Sequence, residues 1–177
     1  GSGNVIPGLF AVGECAAASF HGFNRLGTNS LLELITMGKV VGERVVDFMQ
    51  AESVPQPGNA GEKTFSIFAR FMDAQGKGNL GQIREAMRAM MTEKVGVFRT
   101  DGGLKEAIET IKELKDRADG IALSSKSLTM NPDLIQRCEL ENLLEISMVI
   151  AQGALYRRES RGGHFRKDFP ERKDEFN

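Results

Sequence analysis

Cysteine is scarce in this chain, and neither sign of charge dominates it. Two cysteines, Cys15 and Cys138, occur in 177 residues. They lie far apart and lack metal-ligand spacing, which argues against a disulfide framework and for a reducing compartment. The formal net charge is −1, which gives no support to a nucleic-acid or membrane-surface partner. No apolar run approaches the roughly 18 residues that a membrane span needs. What remains is an ordinary globular composition, 41% hydrophobic and 27% charged, long enough for one domain or two small ones.

Gly1-Ser2-Gly3 reads as an expression scar and is set aside. The chain then begins almost directly on an apolar segment, and it stops at Asp174-Glu175-Phe176-Asn177 without a terminating signal. Both ends fit a piece of a longer protein. The stretch that organises the rest is Gly8-Leu9-Phe10-Ala11-Val12-Gly13-Glu14, followed by His21-Gly22-Phe23-Asn24-Arg25-Leu26-Gly27-Thr28-Asn29-Ser30-Leu31. Leu9 to Val12 has the continuous apolar character of a strand buried on both faces. Gly13 permits a sharp turn, and Glu14 would then leave the carboxyl end of that strand, where open α/β sheets bind ligands. A solvated Glu14 is the plainer alternative. Asn29 or Ser30 is placed to cap a helix running to about Gln50, and Ser30 with Glu33 has capping-box spacing. Leu31, Leu34, Ile35, Gly38, Val41, Gly42, Val45 and Phe48 form one face of that helix.

Residues 53–61 hold Pro55, Pro57, Gly58 and Gly61 and read as a linker. That divides the chain into 4–52, the linker, a helical bundle over 62–156 and a tail over 157–177. In the bundle, Phe65, Phe68, Phe71 and Met72 make one stripe. Leu80, Ile83, Met87, Met90 and Met91 make a second, over a helix from about Leu80 to Val97. Methionines at such spacing are adaptable core. Asp101-Gly102-Gly103 reads as a turn before a helix bearing Leu104, Ala107, Ile108, Ile111, Leu114 and Ala118. Asn131-Pro132 caps a last helix, with Leu140, Leu143, Leu144, Ala151, Ala154 and Leu155 on one side. Amphipathic helices joined by short breaks pack as an antiparallel bundle. In the tail, interspersed charges argue against a nucleic-acid arm. Gly162-Gly163 offers a bend, and Phe165 and Phe169 offer anchors. Composition alone leaves open whether the tail folds back or stays solvated.

Together these segments resemble the flavoprotein subunit of succinate dehydrogenases and fumarate reductases. The resemblance rests on Gly8 to Glu14, on His21-Gly22-x-Asn24-Arg25-Leu26-Gly27-x-Asn29-Ser30-Leu31, and on Val95-Gly96-Val97-Phe98-Arg99. It continues through Glu139-Leu140-Glu141-Asn142-Leu143-Leu144, Glu159-Ser160-Arg161-Gly162-x-His164 and Asp168-x-Pro170-Glu171-Arg172. These fall in family order across nearly the whole chain. Gly163, where the family usually has alanine, is a mild departure. The implied fold is mainly α: the last strand and helix of an α/β FAD-binding domain, then a bundle of about three helices, then an extended tail that packs back toward the cofactor domain.

The resemblance implies hydride transfer between succinate and fumarate at FAD. By the same resemblance, Glu14 would accept hydrogen bonds from the hydroxyls of the cofactor's sugar chain. Ser30 and Leu31 would present backbone N–H groups to the flavin ring, where the positive end of a helix suits an electron-rich edge. Arg25 would bind a carboxylate of the dicarboxylic substrate through its planar fork. His21, Asn24, Arg161 and His164 would stand behind these, His21 as a hydrogen-bonded loop histidine. The implied partners are an iron–sulfur subunit and, through it, a quinone-reactive membrane anchor. The implied location is cytoplasmic, peripheral at the inner face of the membrane. The dinucleotide fingerprint Gly-x-Gly-x-x-Gly is read as absent from these residues; it, the FAD-tethering histidine, the capping domain and the proton-shuttling arginine are expected outside them, so the chain alone should be inactive. L-aspartate oxidase shares the Asn-Arg loop and the Glu-Ser-Arg-Gly-x-His segment and is the rival enzyme. A helical interaction module for the iron–sulfur subunit is the rival of another kind.

Overall fold

A computed structural model describes residues 5–16, 20–21, 25–51 and 58–176. The chain separates into two units, 1–58 and 59–177, and each is described by itself.

In the first unit a short 3-10 turn, Gly13–Cys15, precedes helix α1, Gly27–Ala51. Two expectations need correction here. Residues 9–12 are not a strand: Val12 is extended (φ −148°, ψ 153°), but among the described residues nothing pairs with this segment. A strand exists only as part of a ladder, so an apolar run without a neighbour stays irregular. Nor does Asn29 or Ser30 cap α1. The helix opens at Gly27, and the Ser30 N–H already donates to the Leu26 carbonyl at 2.7 Å. The Ser30 hydroxyl instead accepts from Arg25 Nε, and the Glu33 carboxylate accepts from the same guanidinium. The capping box is therefore given up to hold an arginine. Further along, the Phe48 ring meets Phe10 edge-on at 5.7 Å.

The second unit holds α2 (Ala60–Asp73), α3 (Leu80–Lys94), α4 (Asp101–Asp119) and α5 (Pro132–Tyr156). Three of them, α3, α4 and α5, close on one core that includes Ile83, Met87, Met90, Leu104, Ile108, Ile111, Leu114, Leu140, Leu144 and Ala151. Helix α2 adds a satellite cluster in which Phe71 packs with Leu123 and Leu134. The Phe71 ring also carries the Arg137 guanidinium 4.1 Å above it, a contact favoured by the ring quadrupole. The core side of α5 runs through Leu140, Leu144, Ser147, Ala151 and Ala154. Leu143 falls one step off that stripe and is exposed, as is Phe65 on α2.

Side-chain caps fix where these helices begin. Asn79 accepts from the Gln82 N–H, Thr100 from Gly103 and Asn131 from Leu134; each such cap contributes about 1 kcal/mol. Because Thr100 caps, Asp101-Gly102-Gly103 is the first turn of α4 rather than a free turn. The expected absence of Gly-x-Gly-x-x-Gly is corrected as well: Gly76-Lys77-Gly78-Asn79-Leu80-Gly81 has that spelling, but it follows helix α2 rather than a strand and so lacks the setting of a dinucleotide site. Its first glycine serves packing: a Cβ on Gly76 would lie 2.2 Å from the Gly120 carbonyl oxygen.

The tail folds back. Phe98–Arg99 (β1) pairs in parallel with Phe165–Arg166 (β2), placing Arg99 opposite Arg166. Both arginines then close helix ends, whose last carbonyls lack intrahelical partners. Arg99 Nε donates to the Val95 and Gly96 carbonyls after α3. Arg166 has no exposed surface. Its Nη1 donates to the Ala154, Leu155 and Arg157 carbonyls at the end of α5, at 2.8, 3.3 and 3.4 Å. Its Nε and Nη2 grip Asp168 as a fork, each at 2.9 Å. Asp168 in turn accepts the Asp101 N–H at 2.7 Å, at the start of α4. Glu159 is equally buried and accepts from Arg157, from Arg161 and from the Lys173 N–H.

These pairings displace protonation equilibria. The Arg161 hydrogen bond, against the cost of burial, holds Glu159 down to about 2 from an ordinary 4.5. The Arg166 fork holds Asp168 at about 2 from 3.8. Burial lowers His164 below 6.5, its bond to the Arg157 carbonyl opposing, with Arg99 and Arg166 lowering it further.

Two outcomes follow for the chain as it stands. In each of the three groups the folded state binds protons more weakly than the unfolded state does. Stability is therefore fully present above about pH 6.5 and declines on acidification, first through His164 and then, from about pH 4.5 down towards 2, through Glu159 and Asp168. Urea unfolding midpoints measured from pH 8 to pH 3 should fall monotonically, and a flat profile would contradict the assignment. Arg166→Met should destabilise the second unit by about 1–3 kcal/mol, because it leaves the buried carbonyls at the end of α5 without their donor and takes the fork partner from the partly exposed Asp168. A urea midpoint unchanged from the parent would show that those groups find other partners.

Candidate functional site

The first unit gathers its polar groups around Arg25. Gly13 is buried at φ +76°, a left-handed conformation that a side chain resists, and a Cβ there would lie 2.3 Å from Leu34 Cδ2. The turn it makes leaves Glu14 exposed, with no hydrogen bond or ion pair among the described residues. It also turns the Gly13 carbonyl to accept Arg25 Nη1 at 3.1 Å. Arg25 Nε donates to the Ser30 hydroxyl at 3.1 Å, and Nη2 donates to Glu33. Glu33 is 3% exposed, and Arg25 keeps 20% of its side-chain surface exposed.

His21 lies beside this group. Its Nε2 is 3.7 Å from a Glu33 oxygen and has no hydrogen-bond partner among the described residues. Its ring stands edge-on to Phe20, 5.1 Å between centroids. Asn24 lies outside the described residues. Ser30 closes the first turn of α1 and Leu31 opens the second, Ser30 half-buried and Leu31 exposed. The structure thus brings Arg25, Ser30, Glu33, His21 and the Gly13-Glu14 turn together.

Arg161 and His164 belong to the second unit, and both are engaged in fastening the tail. Arg161 holds Glu159 and donates to the Lys173 carbonyl at 3.2 Å. His164 Nδ1 is 2.6 Å from Arg99 Nη1, and Nε2 is 3.0 Å from the Arg157 carbonyl oxygen. An arginine can only donate and a carbonyl can only accept. That assigns a neutral ring with its proton on Nε2. Among the described residues no group of three or more His, Cys, Asp or Glu side chains could hold a metal ion.

Two residues carry more than sequence reasoning gave them. Glu33 read as the far end of a capping box, yet it is the anchor of Arg25. The available signal was a lone carboxylate between Leu31-Leu32 and Leu34-Ile35. Arg166 passed as one charge in a mixed tail, yet it is among the most deeply buried side chains of the chain. Its signal was Asp168 two residues on, flanked by Phe165 and Phe169.

A tethered guanidinium with N–H groups uncommitted among the described residues suits a carboxylate. An exposed carboxylate on a glycine turn, without a partner among the described residues, suits a hydroxyl-bearing ligand, and the start of α1 suits an electron-rich group. The residue types are compatible with the edge of a flavin and with a carboxylate ligand.

A family model described as "FAD binding domain" matches residues 1–31, and one described as "Fumarate reductase flavoprotein C-term" matches residues 84–176. The succinate dehydrogenase flavoprotein subunit of Coxiella burnetii is 38% identical over 98% of this chain and 30% of its own length. The fumarate reductase flavoprotein subunit of Haemophilus influenzae is 39% identical over 96% of this chain and 29% of its own. An E. coli quinol fumarate reductase superposes with a TM-score of 0.86 at 32% identity, over 96% of this chain and 30% of that one. The chain thus spans about 30% of the length of the curated relatives it matches. With residues 84–176, from within α3 to the tail, matched by that family's model, and with relatives aligned along nearly all of it, this chain belongs to the fumarate reductase flavoprotein C-terminal family.

Proposed function

We propose that the whole protein carrying this chain is an FAD-dependent oxidoreductase that interconverts succinate and fumarate, and that these residues supply one wall of its site. The observation that carries the reading is the Arg25 guanidinium, held by Ser30, Gly13 and Glu33 through one N–H of each nitrogen, on a side chain that stays 20% exposed. Arg25 takes one carboxylate of the dicarboxylate. Its planar fork fixes the direction of the carbon chain, and orientation of this kind supplies much of an enzyme's rate. FAD, when bound, supplies the centre that accepts or gives the hydride. Glu14 accepts hydrogen bonds from the cofactor's hydroxyls. Ser30 and Leu31, where the first turn of α1 passes into the second, stand near the helix end that favours the electron-rich edge of the ring.

The Ser30 N–H is already engaged with the Leu26 carbonyl. The support that Ser30 gives therefore includes its hydroxyl, fixed by Arg25. Electrons pass to or from an iron–sulfur subunit and, through it, a quinone-reactive membrane anchor. The relatives' names as flavoprotein subunits support this. Among the described residues no helix is long and apolar enough to cross a membrane, in keeping with peripheral attachment through partners at the inner, cytoplasmic face. One observation favours a second role for the bundle, as a docking module for the iron–sulfur subunit: Ile135, Ile146 and Val149 on α5 are apolar and more than half exposed.

The test uses the full-length parent. It should oxidise succinate or reduce fumarate and leave L-aspartate untouched, and Arg25→Ala should lower kcat/KM for succinate by about 100-fold or more, as loss of a substrate clamp does. Oxidation of L-aspartate alone would transfer the protein to the aspartate oxidases. The 177-residue chain by itself should show no turnover and no flavin absorbance after gel filtration. Flavin that co-elutes would contradict the proposal that the rest of the cofactor site lies elsewhere.

A further inference from the structure

We infer that Glu33 is a positioning residue: it orients Arg25 for a carboxylate rather than serving the fold. The inference rests on the reading of Arg25 given above and extends it to a residue that touches neither substrate nor cofactor. A carboxylate only 3% exposed, on a helical turn otherwise made of Leu31, Leu32, Leu34 and Ile35, is a costly choice for stability alone. An apolar residue there would continue the local pattern. Its cost is met by one strong partner, Arg25 Nη2.

The count of donors gives the pairing its meaning. A guanidinium has five N–H groups. Among the described residues three are spent, one from each nitrogen: Nε on Ser30, Nη1 on the Gly13 carbonyl and Nη2 on Glu33. Two remain, one on each terminal nitrogen, the number that a carboxylate takes in a bidentate pair. Three tethers from two segments, the Gly13 turn and the first two turns of α1, leave the plane of the guanidinium little freedom. Of the three acceptors Glu33 alone is charged, so its bond is the strongest. It also cancels the charge of Arg25, which lowers the attraction felt by an arriving anion. Glu33 therefore trades binding strength for orientation.

The test is a double-mutant cycle in the full-length flavoprotein, read by succinate oxidation. Glu33→Gln keeps an acceptor and removes the charge. It should lower kcat by about 10- to 100-fold, the scale expected when a clamp is misplaced by about 1 Å. Its KM should stay within about threefold of the parent, because the lost tether and the uncancelled charge of Arg25 act in opposite senses. Glu33→Asp keeps the charge and should fall between Glu33→Gln and the parent. In an Arg25→Lys background, which has no fork to orient, Glu33→Gln should cost less than about twofold.

The failures separate. If Arg25→Lys alone leaves kcat/KM unchanged, the dicarboxylate reading falls first. If Arg25→Lys is costly while Glu33→Gln costs the same in both backgrounds, or only raises KM, the positioning role is refuted. Flavin content and the thermal midpoint of each variant guard against misfolding. If Glu33→Gln does not fold, Glu33→Asp completes the cycle, and a parent-like kcat for it together with equal costs in both backgrounds counts against the inference.

Discussion

An arginine shut away from water must spend its N–H groups on the protein, because every donor left unmet carries a desolvation cost. Arg166 obeys this in full. Its guanidinium is divided between three carbonyls at the end of α5 and the two oxygens of Asp168. That division fixes the tail in place: shift the segment, and both the helix end and the carboxylate lose their partner at once. Arg99, its register partner across the two-residue ladder, closes α3 in the same way and meets His164 with its free end. The bundle is therefore finished by charge at its end, although its middle is ordinary Leu, Ile and Met packing.

Arg25 obeys the same rule incompletely, and the remainder is informative. Three tethers hold it, and its side chain stays 20% exposed. A fully satisfied buried arginine is a structural rivet, whereas one with uncommitted N–H groups has the chemistry to receive an anion. His164 and Arg161 read as companions of the site from their motif, but their contacts in the second unit are those of rivets.

Much of the fold is legible in the sequence where periodicity and end signals agree. Asn131-Pro132 opens α5 as it reads, and the Leu104 to Ala118 stripe of α4 is the buried stripe. Legibility fails where a side chain has two possible partners. Ser30 and Glu33 satisfy the spacing of a cap, but Arg25, which comes before them in the chain, outbids the backbone. Residues 9–12 have the composition of a strand and lack a ladder. On α5 the apolar residues surround the helix, so spacing alone could not say that Leu143 points outward while Leu144 points in. At the candidate site the motif singles out Glu14 and Arg25, and Arg25 is held in the cluster around Gly13, Ser30 and Glu33. The motif passes over Glu33, whose contact with Arg25 spans eight residues across a turn.

The double engagement of Asp168 has a consequence for the order of events during synthesis. This carboxylate grips Arg166 under the end of α5 and receives the first N–H of α4, so one short segment latches the finish of one helix to the start of another. A ribosome makes α3, α4 and α5 well before it reaches that residue. The nascent helices can collapse on their leucines, but their open ends stay hydrated until the last stretch emerges. Locking of this bundle is therefore an event that follows translation of the tail, and a chain that stalls before residue 168 leaves a bundle with unlatched ends.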